Sequence, residues 1–278
     1  MKFALFNDFQ LGLIENDTVY DIGHAIGAFA RKSDCPMVDF IRQFASKTDE
    51  WAALKENALR FSLSEVRLRQ PLARPGKIVA APVNYVSHQQ EMKEELTARN
   101  LGFFLKAQTS IIGPGDTVML PYADRRIDHE LELAFVIGKT AKNVSREEAL
   151  DYVFGYTGLI DVTLRPDEVH IEERCLRKSF DTFTPIGPWI VTKDEIPNPD
   201  DINMVLKVNC EVRQKVNTRD LICNVAELIS IYSKIMTLEP GDLIATGTPE
   251  GVGPIKKGDA IELEIEGIGQ FEVKVDMA

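Results

Sequence analysis

Nowhere in the 278 residues does an apolar stretch approach the ~20 residues that a membrane-spanning helix needs, so none is predicted. Cysteine is scarce: Cys35, Cys175, Cys210 and Cys223 are scattered, with no C-x-x-C pair. That argues against a disulfide framework or a thiolate metal site and predicts reduced thiols in a cytoplasmic protein. Positive charge is in deficit. Lys and Arg number 32 against 43 Asp and Glu, a formal net charge of -11. Such a chain repels phosphate backbones, and no basic run or basic–aromatic interleaving marks a nucleic-acid surface. The N-terminal "MKFALFNDFQLGLIENDTVYDIG" lacks the long apolar region of a signal peptide and reads as strands of the mature fold. The Gly-rich "TGTPEGVG" (246–253) has neither P-loop nor dinucleotide-site spacing. Its glycines are read as permitting a tight turn close to a ligand.

What is present divides the chain in two. Residues 1–23 alternate and turn as a small β-meander, and 37–60 carry apolar residues at helical spacing. Two prolines and a glycine in "RQPLARPGK" (69–77) set a boundary. The expectation is a small N-terminal α/β domain over 1–72 and a larger domain over 73–278. The second part has many short apolar runs, few helices and Gly/Pro turns, so the fold class is α+β and β-rich. Capping boxes predict helices after Ser87 (with Gln90), Ser145 (with Glu148) and Asn224 (with Glu227). The tail, "GDAIELEIEGIGQFEVKV", predicts a hairpin around Gly267 and Gly269.

The chemistry is in "IDHELELAFVIG" (127–138). Glu130 and Glu132 stand at i and i+2 of a strand-like run, so both point to one face, and His129 points to the other. The tail segment "ELEIE" (262–266) has the same spacing but alternates cleanly with Ile261, Leu263 and Ile265, as a solvated hairpin face does. Glu130 and Glu132 differ because Ala134 to Ile137 are continuously apolar, the mark of a central strand. Asp161 sits in an equally apolar run, "GLIDVT", and His88 and Glu91 share a face at i, i+3 on a sparse helix. Buried carboxylates need a positive partner. Three on buried strands, with room for water, suit a hard divalent cation such as Mg²⁺.

"NYVSHQQE" (84–91), "FFLK" (103–106), "GPGD" (113–116), "HELELAFVIG" (129–138), "GYTGLIDVT" (155–163), "KSFDTFTPIGPW" (178–189) and "NVAELISIYSKIMTLEPGDLIATGTPEGVG" (224–253) together resemble the fumarylacetoacetate hydrolase family, in the family's order. The resemblance implies a rolled mixed β-structure, usually paired into homodimers. It implies that Glu130, Glu132 and Asp161 are ligands of Mg²⁺ or Mn²⁺, and that His88 and Glu91 form a His-Glu pair on a lid. It also places Lys178 beside the metal and Lys106 and Thr248 in the substrate pocket. Two departures stand out. Pro82-Val83 replaces the usual glycine-leucine before "NY", and Glu168 stands where hydrolytic members often carry a glutamine near the water.

The expected activity is hydrolysis of a C–C bond in a small acylpyruvate-type 2-oxo acid. Glu91 orients His88, His88 activates water, water attacks the distal carbonyl, and the expelled pyruvate enolate develops its charge at the metal. Lys178 stabilises that charge or anchors a metal-bound water. The rival is isomerisation of a 2-hydroxy-diene dioate or decarboxylation of an oxaloacetate-like acid at the same metal. A non-catalytic binding protein on the same fold is disfavoured by the intact site residues.

Overall fold

A computed structural model describes residues 1–29 and 35–278. The N-terminal part comprises strands β1 (Lys2–Phe6), β2 (Gln10–Glu15) and β3 (Thr18–Asp21), helix α1 (Pro36–Phe44), and strands β4 (Leu59–Ser62) and β5 (Leu68–Arg69). Next come β6 (Ile78–Ala80), helices α2 (Val86–Met92) and α3 (Ala98–Leu101), then β7 (Phe104–Lys106), β8 (Ile111–Ile112), β9 (Thr117–Leu120), β10 (Ile127–His129), β11 (Leu131–Ile137), β12 (Val153–Ile160) and β13 (Thr163–Leu164). After the single turn α4 (Arg174–Arg177) follow β14 (Thr184–Thr192), β15 (Asn203–Val208), β16 (Glu211–Asn217), helix α5 (Val225–Ile235), β17 (Leu243–Ala245), β18 (Gly253–Pro254), β19 (Ala260–Ile265) and β20 (Gly269–Met277).

The main sheet runs β4-β3-β2-β1-β14-β12-β11-β17-β6-β7, with β5 on β1 and β8 on β14. It is mixed: β6 pairs in parallel with β17, and β8 with β14. It is also rolled. In a flat sheet β7 and β12, four strand steps apart, would be separated by roughly 19 Å. Yet Lys106 at the end of β7 bonds Asp161 just past β12, and β8 returns to pair with β14. A five-stranded sheet, β16-β15-β19-β20-β9, and the small β13-β10-β18 sheet complete the α+β, β-rich fold. The N-terminal strands extend the main sheet through β1 on β14, so both halves of the chain share it.

Strand β11 is buried along its whole length, between β12 and β17, as its continuous apolar run predicts. Its faces serve two cores. Leu131, Leu133, Phe135 and Ile137 pack in the larger core, which includes α5, while Ala134 and Val136 face the other. Glu130 and Glu132 are in phase with that second face. At the opposite end of the same face Phe3 and Trp51 pack on Phe154, with ring centroids 5.9 and 5.8 Å apart. The N-terminal part thus supplies the apolar filling behind the carboxylates, whose burial is a major stabilising contribution.

Two predicted helices differ. After Ser145 half of the capping box forms: Ser145 Oγ accepts from the Glu148 N–H at 3.3 Å and donates to the Glu148 carboxylate at 3.0 Å. Only a turn over Ala149–Tyr152 follows, and the chain enters β12. Val153, Phe154, Tyr156 and Thr157 favour strand, and pairing with both β11 and β14 overrides the local helix signal. Ser87 does not cap α2, which starts at Val86; its hydroxyl instead accepts from the Glu250 N–H. The Asn224 cap and the tail hairpin form as predicted. All four cysteines are free thiols, and among the described residues no helix is long and apolar enough to cross a membrane.

Candidate active site

Strand register assembles the carboxylates. Leu131 is paired with Ile160, so Glu130 and Asp161 are the next residues along, and the Asp161 N–H donates to Glu130 O at 2.8 Å. Glu132, two residues further, keeps to the same face. One oxygen from each of Glu130, Glu132 and Asp161 lies within 4.8 Å of the others, and all three residues are buried. The chain leaving β17 passes beside them, and the Gly247 N–H donates to Glu132 Oε2 at 2.7 Å. Gly247 has φ +91°, and a Cβ there would lie 2.8 Å from that of Asn84, so only glycine brings this amide to the carboxylate.

Three cations meet the cluster. Lys178 Nζ lies 2.7 Å from Glu130 Oε2, 2.5 Å from Asp161 Oδ2 and 2.7 Å from Thr163 Oγ1. Lys106 Nζ donates to Asp161 Oδ1 and, at 3.1 Å, to Phe183 O. Arg165 spans Asp128 and Glu130, at 2.6 Å each. Burial pushes the Glu130 carboxyl up, but Lys178 and Arg165 outweigh it and hold it well below the ordinary range. Burial pushes Lys178 down, and Asp161 and Glu130 reverse that, keeping it charged. For Lys106 burial prevails over Asp161 and the net direction is downward.

Glu132 is the exception. No cation pairs with it among the described residues; its bond is to the Gly247 amide. Burial, reinforced by the nearby Asp161 charge, holds it well above the ordinary carboxylate range. A buried carboxylate short of a positive partner, beside two more oxygen donors, fits a hard divalent cation.

His88 and Glu91 lie on α2, as predicted, with His88 Nδ1 3.1 Å from Glu91 Oε2. Glu91 Oε1 accepts from the Gly251 N–H at 3.1 Å, which ties α2 to the "TGTPEGVG" loop. At the base of α2, the Asn84 side chain bonds Cys223 N, Cys223 O and Thr246 O, each at 2.8 Å. The Pro82-Val83 hinge puts Val83 at φ +46°, rare for a β-branched residue. His88, Glu130, Glu132, Lys178 and Thr248 line one cavity of about 140 Å³. Lys106 contacts the cluster from behind, through Asp161. Thr248 Oγ1 accepts from Gln214 Nε2 at 3.0 Å, which leaves its own proton free to be donated.

His129 is buried on the opposite face, bonded through Nδ1 to Gln214 at 3.2 Å, a structural placement. Glu168 is exposed and outside the cavity lining. Sequence reasoning missed Arg165, Gln214, Thr163, Gly247 and the cavity-lining Arg174 and Arg177. Arg165 follows Asp161 in "DVTLR" at even spacing, which was an available signal; Gln214, on a distant strand, left none.

Residues 77–276 match the fumarylacetoacetate (FAA) hydrolase C-terminal family. The chain belongs to this family. It is 45% identical over 288 aligned positions to a maleylpyruvate hydrolase from Aquipseudomonas alcaligenes, covering 99% of each chain. Its fold matches the crystal structure of maleylpyruvate hydrolase from Sphingobium sp. SYK-6 in complex with manganese(II) and pyruvate, with TM-score 0.89, 40% identity and full coverage of both chains. A 2-hydroxyhepta-2,4-diene-1,7-dioate isomerase from Mycobacterium marinum is also similar, with TM-score 0.76 and 31% identity over all of this chain and 98% of that one.

Proposed function

We propose that the chain is a divalent-metal-dependent hydrolase that cleaves a C–C bond in an acylpyruvate, a 2-oxo acid with a second carbonyl two carbons away. The observation that carries this reading is the convergence of Glu130, Glu132 and Asp161 beside a cavity that also holds His88. Full-length similarity to maleylpyruvate hydrolases, one holding manganese(II) and pyruvate, supports it.

Glu130, Glu132 and Asp161 hold Mg²⁺ or Mn²⁺. When bound, the ion supplies Lewis-acid charge next to the 2-oxo acid end of the substrate. Glu91 engages His88 Nδ1, so Nε2 is the nitrogen that takes a proton from water. The water oxygen adds to the distal carbonyl carbon. The bond between that carbon and the CH₂ breaks, with its electron pair going to the CH₂ carbon. His88 returns the proton to that carbon, releasing pyruvate and a carboxylic acid. Lys178 stays protonated between Glu130 and Asp161 and orients both, Thr248 serves the substrate side of the site, and Lys106, outside the cavity lining, holds Asp161 from behind. Residues 73–278 supply every one of these groups, and residues 1–72 brace the roll from behind. The reading includes a homodimer in the cytoplasm, a setting that four free thiols fit.

A second reading, isomerisation of a 2-hydroxy-diene dioate or decarboxylation of an oxaloacetate-like acid, draws on one observation. Glu168, where hydrolytic relatives often place a water-holding glutamine, is exposed and outside the cavity lining. The deciding experiment offers acylpyruvates, dienoate dioates and oxaloacetate with Mn²⁺ or Mg²⁺ and identifies products. Pyruvate plus a carboxylic acid from an acylpyruvate is the expected result. Proton movement or CO₂ release without C–C hydrolysis would transfer the assignment to the second reading.

A further inference from the structure

Strand β16 is the outer strand of the five-stranded sheet, and Gln214 is the one residue of its seven that is buried, at 2% exposure. The register between β16 and β15 slips next to it. Gln214 pairs with Leu206 and Val212 with Lys207, so Arg213 bulges out. Such bulges re-aim the side chains beside them. A primary amide at the buried position of an exposed edge strand needs hydrogen-bond partners. Those of Gln214 lie on β10, β11 and the 246–253 loop, all of them around the active site.

The two ends of the amide face different elements. Oε1 accepts from the Leu131 N–H at 2.8 Å, between Glu130 and Glu132, and from His129 Nδ1 at 3.2 Å. Because Oε1 only accepts, that ring nitrogen carries the His129 proton. Nε2 donates to Thr248 Oγ1 at 3.0 Å, Pro249 O at 3.1 Å and Glu250 O at 3.3 Å, its two hydrogens shared among these acceptors. A backbone N–H on one side and backbone carbonyls on the other fix which way the amide points. A second contact seats the same loop on β16. Gly251 has φ +86°, and a Cβ there would lie 2.3 Å from Arg213 O. The seated loop presents its Glu250 and Gly251 amides to Ser87 and Glu91 of α2.

We propose that Gln214 is a positioning residue: it ties the 248–251 loop to the strand of Glu130 and Glu132, and so places both the Thr248 hydroxyl and the catch for the His88 helix. The placement rests on these hydrogen bonds, and the step it serves rests on the acylpyruvate reading. Gln214 is outside the cavity lining, so it acts through other groups. One is Thr248, whose oxygen accepts from Gln214 and leaves the hydroxyl proton for a ligand. The other is Glu91, which engages His88 Nδ1 and is itself held by the Gly251 amide. An apolar side chain of similar length would make none of these bonds, and loop and strand would no longer be tied.

The test is Gln214→Met, alone and combined with Thr248→Val, in acylpyruvate hydrolysis. Gln214→Met should lower kcat/KM roughly 10- to 30-fold, the scale of one or two neutral hydrogen bonds, and clearly less in the Thr248→Val background. Mn²⁺ affinity should change little, because Glu130 and Glu132 keep Arg165, Lys178 and the Gly247 amide. A purely structural glutamine would lower stability and leave the two kinetic losses independent. Hydrogen exchange gives a readout without turnover. With Mn²⁺ and oxalate, the slowing over α2 should be smaller in Gln214→Met than in the wild type. In the wild type, the Glu250 and Gly251 amides should slow together with α2, a measurement that stands whether or not the variant folds. Independent kinetic losses, undiminished slowing in the folded variant, or slowing of α2 without these two amides would each overturn the proposal. Coupled exchange with no acylpyruvate cleaved would keep the positioning role and overturn the reaction.

Discussion

The Lys178 ammonium lies 2.5 Å from Asp161 Oδ2, at the meeting point of the carboxylates proposed to hold the metal. The lysine therefore offsets part of the negative charge of the cluster. Lys178→Met should destabilise the metal-free protein by about 3 kcal/mol, the low end for leaving a buried charge unpaired. The low end applies because Arg165 and Lys106 still pair one oxygen each of Glu130 and Asp161. Mn²⁺ should recover more stability in this variant than in the parent, as read by denaturant unfolding with and without the ion. A variant as stable as the parent without metal would mean that the lysine does not carry this charge balance.

Glu132 gives the metal site a pH signature. Its folded-state pKa is raised well above 4.5 by burial and by Asp161. The metal-free folded state therefore holds an extra proton above the unfolded pKa. This contribution to stability is full below about 4.5 and is lost as pH rises through the raised value. Metal binding must expel that proton. Calorimetry at a pH inside the window, in two buffers of different ionisation enthalpy, should show proton release, and Glu132→Gln should abolish it. Asp161→Asn and Glu132→Gln should weaken Mn²⁺ by more than the roughly 10- to 100-fold typical of losing an outer-shell partner. Glu264→Gln, on the exposed hairpin face, should leave the affinity unchanged.

For the His88–Glu91 pair, the measurement is steady-state hydrolysis beside metal calorimetry. His88→Ala should cut acylpyruvate hydrolysis by on the order of 10²–10⁴, the range for a positioned general base, and should barely alter Mn²⁺ affinity. If the chain were mainly a decarboxylase, His88→Ala would hurt much less than Asp161→Asn. Lost metal affinity in His88→Ala would make the imidazole a ligand and not a base.

The lid prediction concerns hydrogen exchange over residues 86–100. In α2 only His88 is buried, while Val86 and Met92 are half exposed. The helix is held to the 246–253 loop by the Glu91–Gly251 and Ser87–Glu250 bonds. Exchange there should be fast in the free protein and should slow with Mn²⁺ and oxalate, a mimic of the pyruvate enolate. Strong protection in the free protein would argue against closure over substrate.

The sequence made the carboxylates legible because their signal is local. Glu130 and Glu132 interrupt an apolar strand, and Asp161 interrupts another, so burial without a partner could be inferred from a few residues. His88 and Glu91 were readable from one helical turn. Lys106 and Lys178 had no such signal and were reached only through the family resemblance, because their role depends on a roll that brings β7 back toward β12. Nothing in the sequence pattern marks Arg174 and Arg177 as lining the cavity, because α4 is a single turn with no periodicity to read. The helix predicted after Ser145 failed for a related reason: the cap is local, whereas β12 is decided by its two neighbours.

The parallel pairing of β6 with β17, Ile78 beside Leu243, has a kinetic consequence. The groups around the cavity come from stretches as far apart as His88 and Thr248, and this strand pair is what closes the distance between them. Contacts of such high sequence separation form slowly, after loop-closure entropy has been overcome. During refolding from denaturant, high-affinity capture of manganese should therefore appear only once the strand pair has zipped together. The ion then serves as a spectroscopic clock for the last stage of assembly.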